Sequence, residues 1–218
     1  MSEELRPTQE ELEEAKDLVN QALDKAQKEL PKEGELKVGL GWSEDPHVLE
    51  NMDGAAGMAF APGYFRIRFN TGPEDWKKSV KASAVHEYAH TWNYEHKNHE
   101  DVDRNKFVWE YVIDEAITQI FTEMIYPDYE TPWRKKNSIG EISEHWERIK
   151  SEELDRKTEN TTYPYPLYID KSEENYPLWL GYSLSYRLGE KLLEKHNLEE
   201  FPKLGKEDVI EAGDQLFN

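Results

Sequence analysis

The sequence predicts an α+β protein: a small mixed or antiparallel β-sheet near the N-terminus, then mainly helices. Three observations predict this. Residues 8–30 repeat apolar side chains at helical spacing behind a capping box, Thr8 with Glu11. Residues 35–70 switch to the two-residue period of strands. From Pro73 onward the helical period returns, in segments punctuated by proline. A chain of 218 residues is large for one domain and small for two. We expect a single domain over 1–218, with an N-terminal lobe at 1–97 and a helical C-terminal lobe at 98–218.

The first helix places Leu12, Ala15, Val19, Ala22, Leu23, Ala26 and Leu30 on one face, carries Glu and Lys on the other, and ends at Pro31 and Gly34. ELKVGLGW (35–42) reads as a strand. GAAGMAFAPG (54–63) and YFRIRFN (64–70) read as two more, joined tightly at Pro62-Gly63. In the last of these Phe65, Ile67 and Phe69 face one side, Arg66 and Arg68 the other. Glycine inside a strand marks close approach by another backbone, so Gly57, Met58 and Ala59 are the expected edge for an extended substrate.

A second helix runs from about Pro73 to Glu95. Between Ser79 and Tyr94 its only charged residues besides histidine are Lys81 and Glu87, so it is expected to be buried nearly all round. A third covers about 103–125 and stops before Pro127; from Tyr111 to Thr122 it is apolar except for Asp114, Glu115, Thr118 and Gln119. A helix at 138–156, a Pro/Tyr-rich loop at 162–170, a long helix at 177–196 and a polar tail complete the expectation.

Composition excludes several functions. Asp and Glu total 46 against 27 Lys and Arg, a net charge of −19 that repels phosphate backbones and anionic lipid; neither nucleic acid nor membrane is an expected partner. The absence of cysteine removes disulfides, thiolate metal sites and Cys nucleophiles. The N-terminal stretch lacks the basic start and apolar run of a signal peptide. No run of about 18 apolar residues occurs, and a cytoplasmic protein is expected.

The chemistry concentrates in HEYAHTWNYEH, residues 86–96. His86 and His90 are four apart, so on a helix both imidazoles project from one face and can share a tetrahedral Zn²⁺. Glu87 between them is placed to act as general base. A catalytic zinc takes three protein ligands, and two residues compete for the third place. His96 fits metzincin spacing, with Asn93 where the chain would turn and a Met-x-Tyr at 124–126 that hints at a Met-turn. Glu115 fits differently: it and Asp114 are carboxylates in an apolar helix, where a metal is a natural partner for one and a ligating histidine for the other. Glu110 ranks lower, nearer the polar start of that helix. His47, His99, His145 and His196 sit in charged surroundings and read as surface residues.

Amide hydrolysis develops negative charge on the scissile carbonyl, and the late helix offers Tyr182 and Tyr186 with Arg187 beside them. Tyr182 is the expected oxyanion donor and Tyr186 the next choice; Tyr163, Tyr165 and Tyr168 are further lid or subsite residues.

HEYAH, then WEYVIDEAITQIFTEMIYPD, then LGYSLSYRLGEKLLEKH together resemble a family of predicted Zn-dependent proteases, domain of unknown function 2268. The resemblance covers roughly residues 50–200 and leaves out the N-terminal helix; where the family has glycine after its central glutamate, this chain has Ala116. It implies a zincin-like fold and a gluzincin-like site with one Zn²⁺ on His86, His90 and Glu115, Glu87 as base, and a peptide or protein as substrate. With the burial argument, it favours Glu115 over His96, which then becomes an alternative ligand or neighbour. The expected mechanism has Glu87 take a proton from a zinc-activated water and pass it to the leaving amine. Rival readings are a non-catalytic metal-binding or interaction protein, an engineered scaffold that keeps the motif, and a hydrolase of small amides or esters.

Overall fold

The computed structural model describes residues 7–97, 107–157, 167–168 and 176–218. They belong to two compact units: Met1–Glu95 with Phe121–Pro132, and His96–Ile120 with Trp133–Asn218.

The first unit opens with α1 (Gln9–Glu29), whose N-terminus is closed by the expected reciprocal pair: Glu11 N–H donates to Thr8 Oγ1 and Thr8 N–H to Glu11 Oε2. Its buried stripe is Ala15, Val19, Ala22 and Ala26, small enough for a neighbour to approach closely. Three strands follow, β1 (Lys37–Trp42), β2 (Ala55–Ala61) and β3 (Tyr64–Phe69), with a short helix α2 (Pro46–Asn51) between the first two. The order is β1-β3-β2. β3 pairs antiparallel with β2 through the expected tight turn and parallel with β1, so the sheet is mixed. Phe65, Ile67 and Phe69 are fully buried while Arg66 and Arg68 are exposed, as the alternation requires.

Helix α3 (Trp76–His96) is buried on nearly every side from Ser79 to Asn93. Side chains along it fix its position against the end of α1. The Tyr88 hydroxyl donates to the Leu30 carbonyl at 2.6 Å, and Trp92 Nε1 donates to that of Pro31 at 3.2 Å. Lys32 Nζ reaches Glu95 at 3.0 Å. The Tyr88 ring also stacks on Phe121, centroids 6.4 Å apart. Burial pushes the Tyr88 hydroxyl well above the ordinary tyrosine range, so it stays a donor.

The second unit holds most of α4 (Val108–Ile125), then α5 (Ile139–Arg148) continued by a π-helical turn (Ile149–Glu153), α6 (Leu180–Leu192), a 3₁₀ segment (Leu198–Lys203) and α7 (Lys206–Phe217). α4 and α6 pack closely. A Cβ at Gly189 would lie 2.8 Å from Ile120 Cγ1 and 3.2 Å from the Ala116 Cβ, so the glycine accommodates the alanine opposite. Gln119 Nε2 donates to the Tyr182 carbonyl at 2.8 Å and pins the first turn of α6.

Several elements differ from expectation. The long late helix is shorter, 180–192, and residues 103–106 of the third helix lie outside the described residues. α2 was not anticipated; six residues give too little periodicity to read. The C-terminal segment is no polar tail: Leu198, Phe201, Val209, Ala212 and Phe217 are buried. It closes over Trp146, whose Nε1 donates to Asp214 at 2.8 Å. Among the described residues no helix is long and apolar enough to cross a membrane.

Gly213 is the tightest point of this packing, since a Cβ there would overlap the Trp146 indole, with Cε2 at 2.7 Å. Gly213→Ala is therefore expected to destabilise the protein by about 1–3 kcal/mol through overpacking. Urea unfolding monitored by tryptophan fluorescence checks this; an unchanged midpoint would show the C-terminal segment to be loosely attached.

Candidate metal centre

α3 sets the phase of the two histidines. One helical turn separates His86 from His90, and their rings stand 4.9 Å apart, nearly edge to face. Both are buried, as is Glu87. On α4, Val112 to Gln119 is buried without interruption, so Asp114 and Glu115 are buried too. Among the described residues, His86, His90 and Glu115 each offer one ligand atom, and these atoms lie within 4.8 Å of one another.

The donor set is two imidazole nitrogens and one carboxylate oxygen. That mixture suits Zn²⁺, and three protein donors are the number a catalytic zinc uses. Burial of carboxylates is costly without compensating positive charge, and a divalent cation supplies it. Glu115 already colours its surroundings. The Tyr168 hydroxyl, held to Ser185 Oγ at 2.6 Å, is pushed well above the ordinary tyrosine range by burial first and by the Glu115 charge next.

The other expected site residues fall into distinct places. His96 is the exposed last residue of α3 and is not in the cluster. The metzincin alternative needs the chain to turn at Asn93, but the helix runs straight through this buried residue. The non-glycine residues with positive φ are Asp53 and Trp179, among those described. Met124, the other part of that alternative, is 59% exposed in the last turn of α4 and forms no turn beneath the histidines. Asp114 is buried one residue from Glu115, about 100° around the helix. Glu110 caps α4 by accepting from the Phe107 N–H at 2.8 Å. His47 is exposed, His145 and His196 are half-buried, and His99 lies outside the described residues.

Tyr182 is half-buried, with its ring against Tyr168, Trp179 and Trp133 at centroid distances of 5.1, 5.3 and 6.4 Å. Tyr186 is buried, and its hydroxyl donates to Glu190 Oε1 at 2.9 Å. Arg187 pairs with the other oxygen of the same carboxylate at 2.8 Å. Tyr163 and Tyr165 lie outside the described residues.

Gly57 is a point of close approach. It sits mid-way along β2, an edge strand of the sheet, beside half-buried Met58 and Ala59. The close approach that its missing side chain permits comes from Glu87: a Cβ there would lie 2.5 Å from Glu87 Oε1 and 2.6 Å from its Cδ. Sequence reasoning recognised the crowding but assigned it to a backbone. It also missed Gln119 as the tie to α6, although its spacing of four from Glu115 puts both on one face of α4.

A family model described as "Predicted Zn-dependent protease", domain of unknown function 2268, matches residues 15–211. The match begins inside α1 and so includes most of the helix that the motif resemblance left out. No curated protein and no solved structure matches the chain.

Ligand number and identity are tested by titrating the metal-free protein with zinc. Glu115→Ala and His90→Ala are expected to weaken binding at least about 100-fold, and His96→Ala to leave it within about twofold. Loss of zinc in His96→Ala would instead put the third donor at the end of α3.

Proposed function

We propose, from the premise that the chain belongs to the family of predicted Zn-dependent proteases, that it is a zinc metallopeptidase with a zincin-like fold and a gluzincin-like centre. The observation that carries this reading is the buried grouping of His86, His90 and Glu115, with Glu87 adjacent in sequence to the first of them. These three would hold the ion. Bound zinc supplies Lewis acidity, which polarises a carbonyl and acidifies water.

The chain's own residues do the rest. Glu87, on the same helix as two ligands, takes a proton from the attacking water and delivers it to the leaving amine nitrogen. Its burial keeps bulk water from competing for that proton. Asp114 stands beside Glu115 as the carboxylate that orients a ligand. Tyr182 donates a hydrogen bond to the developing oxyanion. Two features support it over Tyr186: part of its surface is open, whereas the Tyr186 hydroxyl is engaged by Glu190. The substrate is an extended peptide that adds to the β2 edge near Met58 and Ala59, with main-chain hydrogen bonds that ask little of its sequence.

Glu87→Gln separates catalysis from simple metal binding. The variant is expected to keep its zinc and lose turnover of an unstructured protein such as casein by about 10²–10⁴-fold. Turnover that survives in the zinc-loaded variant would remove Glu87 as the base. A wild type that binds zinc yet cleaves no peptide would favour a metal-binding role without hydrolysis.

A further inference from the structure

β2 presents its inward side chains in the order Ala55, Gly57, Ala59, paired across the ladder with Phe69, Ile67 and Phe65 of β3. The row is small throughout and smallest at its centre. The backbone does not require glycine there: Gly34 and Gly54 have positive φ among the described glycines, and Gly57 does not. Glycine in a strand interior weakens the strand, so its use calls for a reason of space. The three heavy atoms nearest to a Cβ at this position are all from Glu87, its Cγ, Oε1 and Cδ. The volume that a methyl group would fill is filled by one carboxylate arm.

We infer that Gly57 is a positioning residue for the general base: the missing side chain makes a seat on β2 that fixes where the Glu87 carboxylate rests. This rests on the reading of Glu87 as the base. Glutamate has three side-chain torsions, and α3 controls only the first directly. The seat limits the others, so that the carboxylate is held before substrate arrives rather than searching for its place.

Gly57→Ala tests this. The overlap is with side-chain atoms and no backbone, the nearest being Glu87 Cγ and then Oε1 and Cδ, so the chain is expected to fold and the whole arm, with its carboxylate, to shift by about 1 Å or more to reach ordinary contact distance. The expected result is a kcat lowered about 10–100-fold, with KM and the zinc affinity of the metal-free protein each within about twofold of wild type. A second measurement needs no activity. In the metal-free protein, Gly57→Ala is expected to lower the thermal midpoint by about 2–4 °C next to Glu87. In a Glu87→Ala background, where the space is empty, it should lower it by less than about 1 °C. Equal shifts in the two backgrounds overturn the seat, and an unchanged kcat in Gly57→Ala overturns its role in positioning the base. If wild type hydrolyses no peptide, the catalytic reading fails on its own, and the pair of midpoints still decides whether Gly57 seats Glu87.

Discussion

Ionisable side chains in a helix with almost no solvent-facing side are the constraint on which the first unit depends. His86, Glu87 and His90 are buried within a stretch of α3 that runs from Ser79 to Asn93 nearly without exposure. Such a helix cannot be held by an apolar stripe, because it has no polar face to oppose one. It is held by specific contacts instead. Tyr88 and Trp92 hydrogen-bond the chain that leaves α1, at the Leu30 and Pro31 carbonyls. Fixing α3 along its axis and in rotation fixes the direction of both imidazoles, since their geometry follows from one helical turn.

The second unit solves a similar problem for Glu115. Its helix is buried through Gln119, and α6 is drawn against it by the pairing of Ala116 with Gly189 and by the Gln119 side chain on the Tyr182 carbonyl. A glycine opposite an alanine leaves room for one methyl, not two. The alanine at 116 is thus matched on the facing helix by Gly189. Tyr168 lies in the same neighbourhood. Burial first and the Glu115 charge next hold its hydroxyl above the ordinary tyrosine range.

What the sequence made legible, and what it did not, divides by whether the signal is local. The capping box of α1, the alternation in β3 and the all-round burial of α3 depend on residues a few positions apart, and each appears where its pattern is written. The parallel pairing of β1 with β3 joins segments with a helix and a strand between them, so nothing in either strand announces it. α7 was hidden by its own surface. Asp208, Glu211 and Asp214 make the segment look solvated, and Gly213 looks like a breaker until Trp146 is seen to occupy the space beside it. At the site, Asn93 read as a turn because asparagine tolerates one. Burial around it and the Trp92 bond to Pro31 keep the helix going, and His96 is carried away to an exposed end.

The HExxH spacing itself leaves one thing undetermined. Residues one apart on a helix point about 100° from each other, so the geometry that unites His86 with His90 sends Glu87 elsewhere. A helix alone therefore places two ligands but does not aim a base. A second element has to bring the carboxylate to rest, and it must come close without filling the space it offers. An edge strand with a glycine at its centre meets both demands. Its backbone is paired with β3 on one side, and the glycine presents no side chain. The small residues of β2 thus belong to the same problem as the histidines of α3: one element sets the direction of the ligands, the other the resting place of the group between them.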